Sequence, residues 1–147
     1  MTNLHFEKMT ASDITEIAKL ECLIFGDLAW SYELFVSELS DPIKHYLVLK
    51  EDNIIIAYGG FAQILNEGHI MNIAVEHNHR KQGIGHKLVM ALLNEMDELC
   101  IDCATLEVSE NNLAAIRMYE KIGFLKAGMR PNYYGNGDHA LIYWIFF

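Results

Sequence analysis

Between Val75 and Leu88 an apolar run gives way to the loop Arg80-Lys81-Gln82-Gly83-Ile84-Gly85, which leads directly into residues with helical spacing. The backbone N–H groups of a helix's first turn have no intrahelical partner and carry partial positive charge, so a strand-loop-helix junction of this kind attracts phosphate. Gly83 and Gly85 give a bulky anion close access to those groups, and Arg80 and Lys81 can add charge. The spacing fits neither G-x-x-x-x-G-K-[ST] nor G-x-G-x-x-G, because Leu88 stands where the second pattern needs its last glycine. Mononucleotide and dinucleotide loops are therefore not expected. As a bare pattern Gly-x-Gly is also an ordinary turn, and its surroundings must decide.

Two further residues have the types that acid–base chemistry uses. In the run Cys103 to Ser109, Leu106 and Val108 share one face and alternation puts Glu107 with Thr105 on the other. That Glu faces either a cleft or solvent. Tyr119 sits on the apolar stripe of a helical segment, where it is either a core tyrosine or a hydroxyl brought to a site, and when buried it needs a hydrogen-bond partner. An α-amine with a pKa of roughly 7.7 to 8.0 is only about one-tenth free at neutral pH, so transfer of a group to it calls for a base, and a departing thiolate calls for a proton.

The elements that must position these groups follow from periodicity. Leu4 to Met9 reads as a strand, and Thr10 with Asp13 opens a helix carrying Ile14, Ile17, Ala18 and Ile24 at helical spacing. Ser31 is a helix N-cap with Leu34, Phe35 and Leu39 expected on the buried side. His45 to Lys50 and Ile54 to Phe61 make an antiparallel hairpin around Glu51-Asp52-Asn53, and Gly68 to Val75 is the next strand. After the loop from His77 to Gly85, Leu88, Leu92, Met96 and Leu99 mark a helix. Cys103 to Ser109 is a strand, and Asn111 to Ile122 a helix with Ala115, Met118, Tyr119 and Ile122 on one face, stopped by Gly123. Strands Phe124 to Met129 and His139 to Phe146 flank the segment Arg130 to Gly137, read as a loop. The order β-α-α-β-β-β-α-β-α-β-β predicts an α/β (α+β) fold, a mixed, mainly antiparallel sheet of about seven strands flanked by about four helices, over one domain spanning residues 1–147.

Composition excludes several functions. With 52% hydrophobic and 21% charged residues the chain is globular, and its longest apolar runs are about half of what a membrane-spanning helix needs. The segment Met1 to Glu7 has neither a basic start nor an apolar stretch, so no membrane association and a cytoplasmic location are expected. A net charge of −9 argues against nucleic acid and suits a cationic partner. Cys22, Cys100 and Cys103 read as free thiols of a reducing compartment. Cys100 and Cys103 lack the second ligand pair a zinc site needs, and His77 and His79 lack a nearby carboxylate pattern, so no metal is expected.

The R-x-x-G-x-G at Arg80 to Gly85, following Asn72-Ile73-Ala74-Val75, resembles the pyrophosphate-binding motif of the GNAT superfamily of N-acetyltransferases. Leu106-Glu107-Val108, Asn111 to Ile116 and Tyr119-Glu120-Lys121-Ile122-Gly123-Phe124 resemble its second acetyl-CoA-binding half, so the match runs from Gly68 to Phe124. Trp30-Ser31 and Arg130-Pro131-Asn132-Tyr133-Tyr134 are similar to the branch of bacterial ribosomal-protein alanine N-acetyltransferases, with Ala29 departing from the proline that branch has before Trp-Ser. The resemblance implies a V-shaped opening between the strand ending at Val75 and the Cys103 strand. It further implies that amides near Ile73, Ala74 and Val75 hold the pantetheine arm and acetyl carbonyl of acetyl-CoA, and that Arg80, Lys81, Gln82, Gly83, Ile84, Gly85 and His86 surround its pyrophosphate. Asn112 would contact CoA, Glu107 would be the general base and Tyr119 the general acid, while Trp30, Ser31, Tyr133 and Tyr134 would line the acceptor peptide. The expected partner is the N-terminal peptide of a protein, ribosomal by resemblance, met by a monomer or weak dimer. Acceptors of other kinds, such as a lysine side chain or a polyamine, and a noncatalytic acetyl-CoA sensor, are the alternatives.

Overall fold

A computed structural model describes residues 3–147; Met1 and Thr2, part of the segment read above for an export signal, lie outside the described residues. One sheet runs through the molecule in the order β1-β2-β3-β4-β5-β7-β6, with β1 Leu4–Lys8, β2 Lys44–Glu51, β3 Ile54–Ile64, β4 Glu67–Val75, β5 Cys103–Ser109, β6 Leu125–Gly135 and β7 Asp138–Phe146. Every neighbouring pair is antiparallel except β4 and β5. Those two are joined through the helix α3, Ile84–Glu98, the crossover that parallel neighbours require.

Helices cover both faces. Helix α3 and helix α4, Leu113–Ile122, bury Leu88, Val89, Leu92, Met96 and Tyr119 against Leu47, Phe61, Ala104, Leu106 and Val108. On the opposite face helix α1, Ile14–Phe25, and helix α2, Tyr32–Ser40, bury Ile14, Ile17, Leu20 and Phe35 against Tyr46, Val48, Tyr58 and Ala74. Strand β3 is sandwiched by both layers and is buried from Ile55 to Ala62. The hairpin turn is Asp52-Asn53, both at positive φ (50° and 70°), the conformation that a two-residue connection between twisted strands favours.

Local signals placed the caps. The Asp13 carboxylate accepts from the Thr10 N–H at 2.8 Å, Ser31 accepts from the Leu34 N–H at 3.1 Å, and Gly123 ends α4 at φ 122°. Four expectations need correction. Leu34 is exposed (40%); the buried positions of α2 are Phe35 and Glu38, and Leu39 is half-buried, because Glu38 is drawn inward by Lys44 and Tyr46. Leu99 lies just past the end of α3 and is 39% exposed. Helix α4 begins at Leu113, with Asn112 as its cap. The segment Arg130 to Gly137 is no free loop: β6 continues to Gly135, and only Asn136-Gly137 turns.

The ladder between β6 and β7 breaks after Arg130↔Ala140 and resumes at Gly135↔Asp138, so residues 131–134 bulge out opposite His139 alone. The bulge is held by the Asn132 N–H donating to His139 Nδ1 (2.8 Å) and the Gly137 N–H donating to Asn132 Oδ1 (2.6 Å).

Candidate active site

Strands β4 and β5 pair only from Glu67↔Cys103 to His69↔Thr105 and then part. A bulge at Met71 contributes to this, since Gly60 faces Asn72 while Phe61 faces Ile70, leaving one residue extra on β4. The V-shaped opening is a cavity of about 300 Å³ lined by Asn72, Ile73, Glu107, Met118, Tyr119 and Tyr134 among others.

Beyond His69 the β5-facing edge of β4 has no strand partner among the described residues. The Glu76 N–H donates to the Ile56 carbonyl at 2.8 Å, so the alternation of an antiparallel ladder turns the backbone groups of Asn72 and Ala74 toward β3 and those of Ile73 and Val75 toward the opening. The Val75 carbonyl accepts from Arg80 Nε at 3.2 Å, as that direction requires. Ile73 and Val75 thus offer main-chain groups to a ligand; Ala74 is buried, its backbone spent on β3.

At the other end of the opening, the Lys87 N–H makes the first bond of α3, to the Gly83 carbonyl at 3.0 Å, which leaves the N–H groups of Ile84, Gly85 and His86 without an intrahelical acceptor. Lys81 and Gly83 both adopt left-handed backbone, φ 62° and 77°, and this turns the chain into the helix. A Cβ on Gly83 would meet nothing within 4 Å, so glycine is needed there for its φ and leaves the approach open. Gly85 differs from expectation: its Cβ would sit 3.2 Å from Met118 Sδ, so it lets α3 pack close to α4 instead of opening the loop. Arg80, Lys81 and Gln82 are exposed around the turn, with Gln82 Nε2 donating to the Asn78 carbonyl at 3.2 Å.

Glu107 projects from the face of β5 opposite Leu106 and Val108, as alternation predicts, and is half-buried. Arg130 Nε lies 3.5 Å from Glu107 Oε1, with its guanidinium carbon 5.8 Å from the Tyr133 ring centre. Hydrogen bonding to the Glu107 carboxylate, then its charge, raises the Tyr133 phenol pKa; burial first, then the Glu107 charge, raises that of Tyr134. The two tyrosines stand edge to face, centroids 5.0 Å apart. Tyr119 is 7% exposed, packs its ring on Phe124 and makes no hydrogen bond among the described residues; burial, and secondarily Tyr134, pushes its pKa up to about 12. The structure therefore gathers Glu107, Tyr119 and Tyr134 on one cavity, with Tyr133 beside Glu107.

Other residues named from sequence hold structural positions. Asn112 borders the cavity, but its side-chain oxygen accepts from the Ala115 N–H at 3.2 Å and caps α4. Trp30 packs on Phe35 (5.4 Å), its N–H donating to Glu21 Oε2 at 2.9 Å, and Ser31 caps α2. Buried Glu21 also accepts from the Tyr58 hydroxyl and ties α1 to the sheet. His79 does have carboxylates, contrary to the sequence reading: Nδ1 is 2.6 Å from Glu76 and Nε2 is 3.0 Å from Glu51. Among the described residues no group of three or more His, Cys, Asp or Glu is arranged to hold a metal ion, and no helix is long and apolar enough to cross a membrane. Sequence reasoning left Asn72 unassigned, although a lone amide in the apolar run from Ile70 to Val75 is a visible signal.

The acetyltransferase (GNAT) family model matches residues 12–124. The chain belongs to the GNAT family. This acetyltransferase is 32% identical over 146 residues (98% of this chain, 96% of the other) to a Bacillus subtilis (strain 168) protein provisionally named a ribosomal protein bS18-alanine N-acetyltransferase. It is 32% identical over 109 residues, 74% of this chain and 73% of the other, to the Escherichia coli (strain K12) ribosomal protein bS18-alanine N-acetyltransferase. The crystal structure of the ribosomal-protein-S18-alanine N-acetyltransferase from Escherichia coli superposes with a TM-score of 0.88 at 26% identity, covering 98% of this chain and 94% of that one.

Proposed function

We propose that this acetyltransferase moves acetyl from acetyl-CoA directly to the N-terminal α-amine of a protein, the N-terminal alanine of a small-subunit ribosomal protein being the expected acceptor. What carries the reading is that a carboxylate and a phenol whose hydroxyl has no hydrogen bond among the described residues, Glu107 and Tyr119, line one cavity at the parting of β4 and β5. The residues at hand suit acetyl-CoA: the free edge at Ile73 and Val75 for its arm, and the unpaired amides at Ile84 to His86, approached over a bare Gly83, for its pyrophosphate. The names of the relatives support the choice of acceptor.

Acetyl-CoA supplies an acetyl group activated as a thioester. Glu107 accepts a proton from the acceptor ammonium, directly or through water, and so raises the fraction of free amine above the roughly one-tenth present at neutral pH. N–H groups on the open edge of β4 stabilise negative charge developing on the carbonyl oxygen. Tyr119, held protonated across the working pH range, donates to the sulfur as the C–S bond breaks and thiolate charge develops, and the proton the nitrogen sheds on becoming an amide restores the phenol through solvent; burial raises a thiolate's proton affinity as it does the phenol's, which keeps the gap between the two from widening. Tyr133 and Tyr134, presented by the bulge, bound the acceptor end beside Glu107.

The test is incubation with acetyl-CoA and a panel holding an Ala-initiated ribosomal-type peptide, the same peptide with a blocked N-terminus and an internal lysine, and a polyamine, read by mass spectrometry. Product on the free N-terminus alone is expected. Product on lysine or polyamine alone would overturn the acceptor assignment.

A further inference from the structure

Three buried polar side-chain atoms have no hydrogen-bond partner among the described residues: His5 Nδ1, His45 Nε2 and Asn72 Oδ1. His5 engages Glu7 through its other nitrogen, and His45 is stacked on Phe61 at 4.9 Å. Asn72 alone of the three lines the cavity: the residue is half-buried, its Oδ1 is shut off from solvent without a partner, and its Nδ2 makes no hydrogen bond to a described residue. A buried, unsatisfied amide oxygen is destabilising and calls for an explanation at the site where it occurs.

Its direction is fixed by its neighbours. Ile70 and Ile73 pack with the α3/α4 core, whereas Ala74 packs with the α1/α2 core, so Asn72, two residues before Ala74, projects toward the α1/α2 side of the sheet. Glu107 lies between Leu106 and Val108, which face α3 and α4, so it projects to that same side from the opposite wall of the opening. The bulge at Met71 is what brings this about: without the extra residue Asn72 would point with Ile70 into the α3/α4 core.

We propose that Asn72 is a positioning residue for the acceptor amine: with its amide turned half a revolution about χ2, so that the oxygen faces the opening, that oxygen takes one N–H of the amine while Glu107 takes another, and the nitrogen is thereby aimed at the thioester lying along β4. This rests on the function proposed above. An ammonium group has three donors, and a lone carboxylate does not fix its orientation; a second acceptor from the facing strand does. The chain thus carries an unpaired amide oxygen in its free state, and the half-turn gives that oxygen a hydrogen bond once the acceptor is in place.

The experiment compares wild type with Asn72→Leu and Asn72→Asp, using whichever primary amine the peptide panel returns as acceptor. For Asn72→Leu, kcat/KM for that acceptor should fall roughly 10- to 100-fold, chiefly through KM, with acetyl-CoA affinity by calorimetry within about twofold of wild type. Its Tm should stay level or rise, because a side chain with an unpaired buried oxygen has been replaced by an apolar one of similar volume. Asn72→Asp keeps the acceptor oxygen, so it should recover acceptor KM while moving the acid limb of the pH profile upward, since a second carboxylate makes Glu107 harder to ionise. A parallel loss of acetyl-CoA affinity would assign the amide to the cofactor instead. A fall in Tm with equal losses toward both substrates would make Asn72 structural, and wild-type KM in Asn72→Leu would end the proposal outright. A wild-type enzyme that acetylates no α-amine but does acetylate another amine overturns the acceptor assignment alone, and leaves Asn72 to be tested on that amine.

Discussion

On its α3 side the opening offers a ligand main chain: the free edge of β4 at Ile73 and Val75 and the unpaired N–H groups of Ile84, Gly85 and His86, with Gly83 as the enabling residue. On its α1/α2 side it offers side chains: Glu107, Asn72, Tyr133 and Tyr134, assembled from β5, β4 and the bulge in β6. In the proposed reaction the first wall would recognise a feature common to every CoA molecule, a polar arm and a pyrophosphate, which needs only a particular backbone path. The second would distinguish one amine from another and take up a proton, which backbone groups cannot do. Substitutions should therefore act differently on the two walls, with binding of acetyl-CoA lost on one and turnover or acceptor binding lost on the other.

The largest effects are expected from the acid–base pair. Glu107→Gln and Tyr119→Phe should each lower kcat by about 10²- to 10⁴-fold under conditions where chemistry limits the rate, while acetyl-CoA affinity changes little. Glu107→Gln should partly recover as pH rises through the acceptor amine's own pKa, because bulk base then supplies free amine; Tyr119→Phe should show no such recovery. Steady-state kinetics on the acceptor peptide between pH 6 and about 9.5 would check both. Wild-type rates in both variants would remove these two residues from the chemistry.

A smaller effect, on acetyl-CoA binding, is expected for Gly83→Val. A β-branched residue at φ 77° costs about 1–2 kcal/mol of backbone strain, and its side chain points into the open approach to the amides of α3. Acetyl-CoA Kd should rise about tenfold or more by calorimetry in a protein that still folds. Unchanged affinity would separate this loop from the cofactor. Below this comes Tyr134→Ala, which should raise peptide KM several-fold more than acetyl-CoA KM; equal changes would make Tyr134 a packing residue of the bulge.

The smallest effect should come from His79, which links the hairpin turn to the start of the loop. Glu76 first and Glu51 second raise its pKa above the ordinary value. A raised folded-state pKa means that His79 stabilises fully at pH below about 6.5 and that this contribution is lost as pH climbs through the folded value. The matching depression at Glu76, caused chiefly by His79, makes its own contribution disappear as pH falls below the carboxylate range. Thermal melts of His79→Gln against wild type should diverge most between those limits and converge at alkaline pH. Because the pair is largely solvated, the divergence should be slight.

The order and type of the main elements were legible in the sequence, because periods of two and of three to four residues report a one-faced strand or helix wherever one face is buried. The turn proposed for the cofactor was legible for a related reason: Arg80 to Gly85 is one continuous stretch, and a glycine at positive φ before a helix leaves its mark in the chain itself. Where two distant segments must meet, local sequence said less. Leu34 fits the apolar stripe of α2 yet lies exposed, because Tyr46 and Lys44 bring Glu38 inward. The segment 131–134 reads as a loop, since nothing in it reveals that β7 holds it as a bulge through His139. Trp30 and Ser31 match their motif, but the structure engages them with Phe35, Glu21 and Leu34. The sequence by itself determined the elements and the glycine turn, both products of short-range periodicity and backbone geometry. Only the tertiary structure decided that Glu107, Asn72 and Tyr119 share one cavity, because that depends on β4 and β5 parting after His69 and on a single extra residue at Met71 turning Asn72 to the side that Glu107 faces.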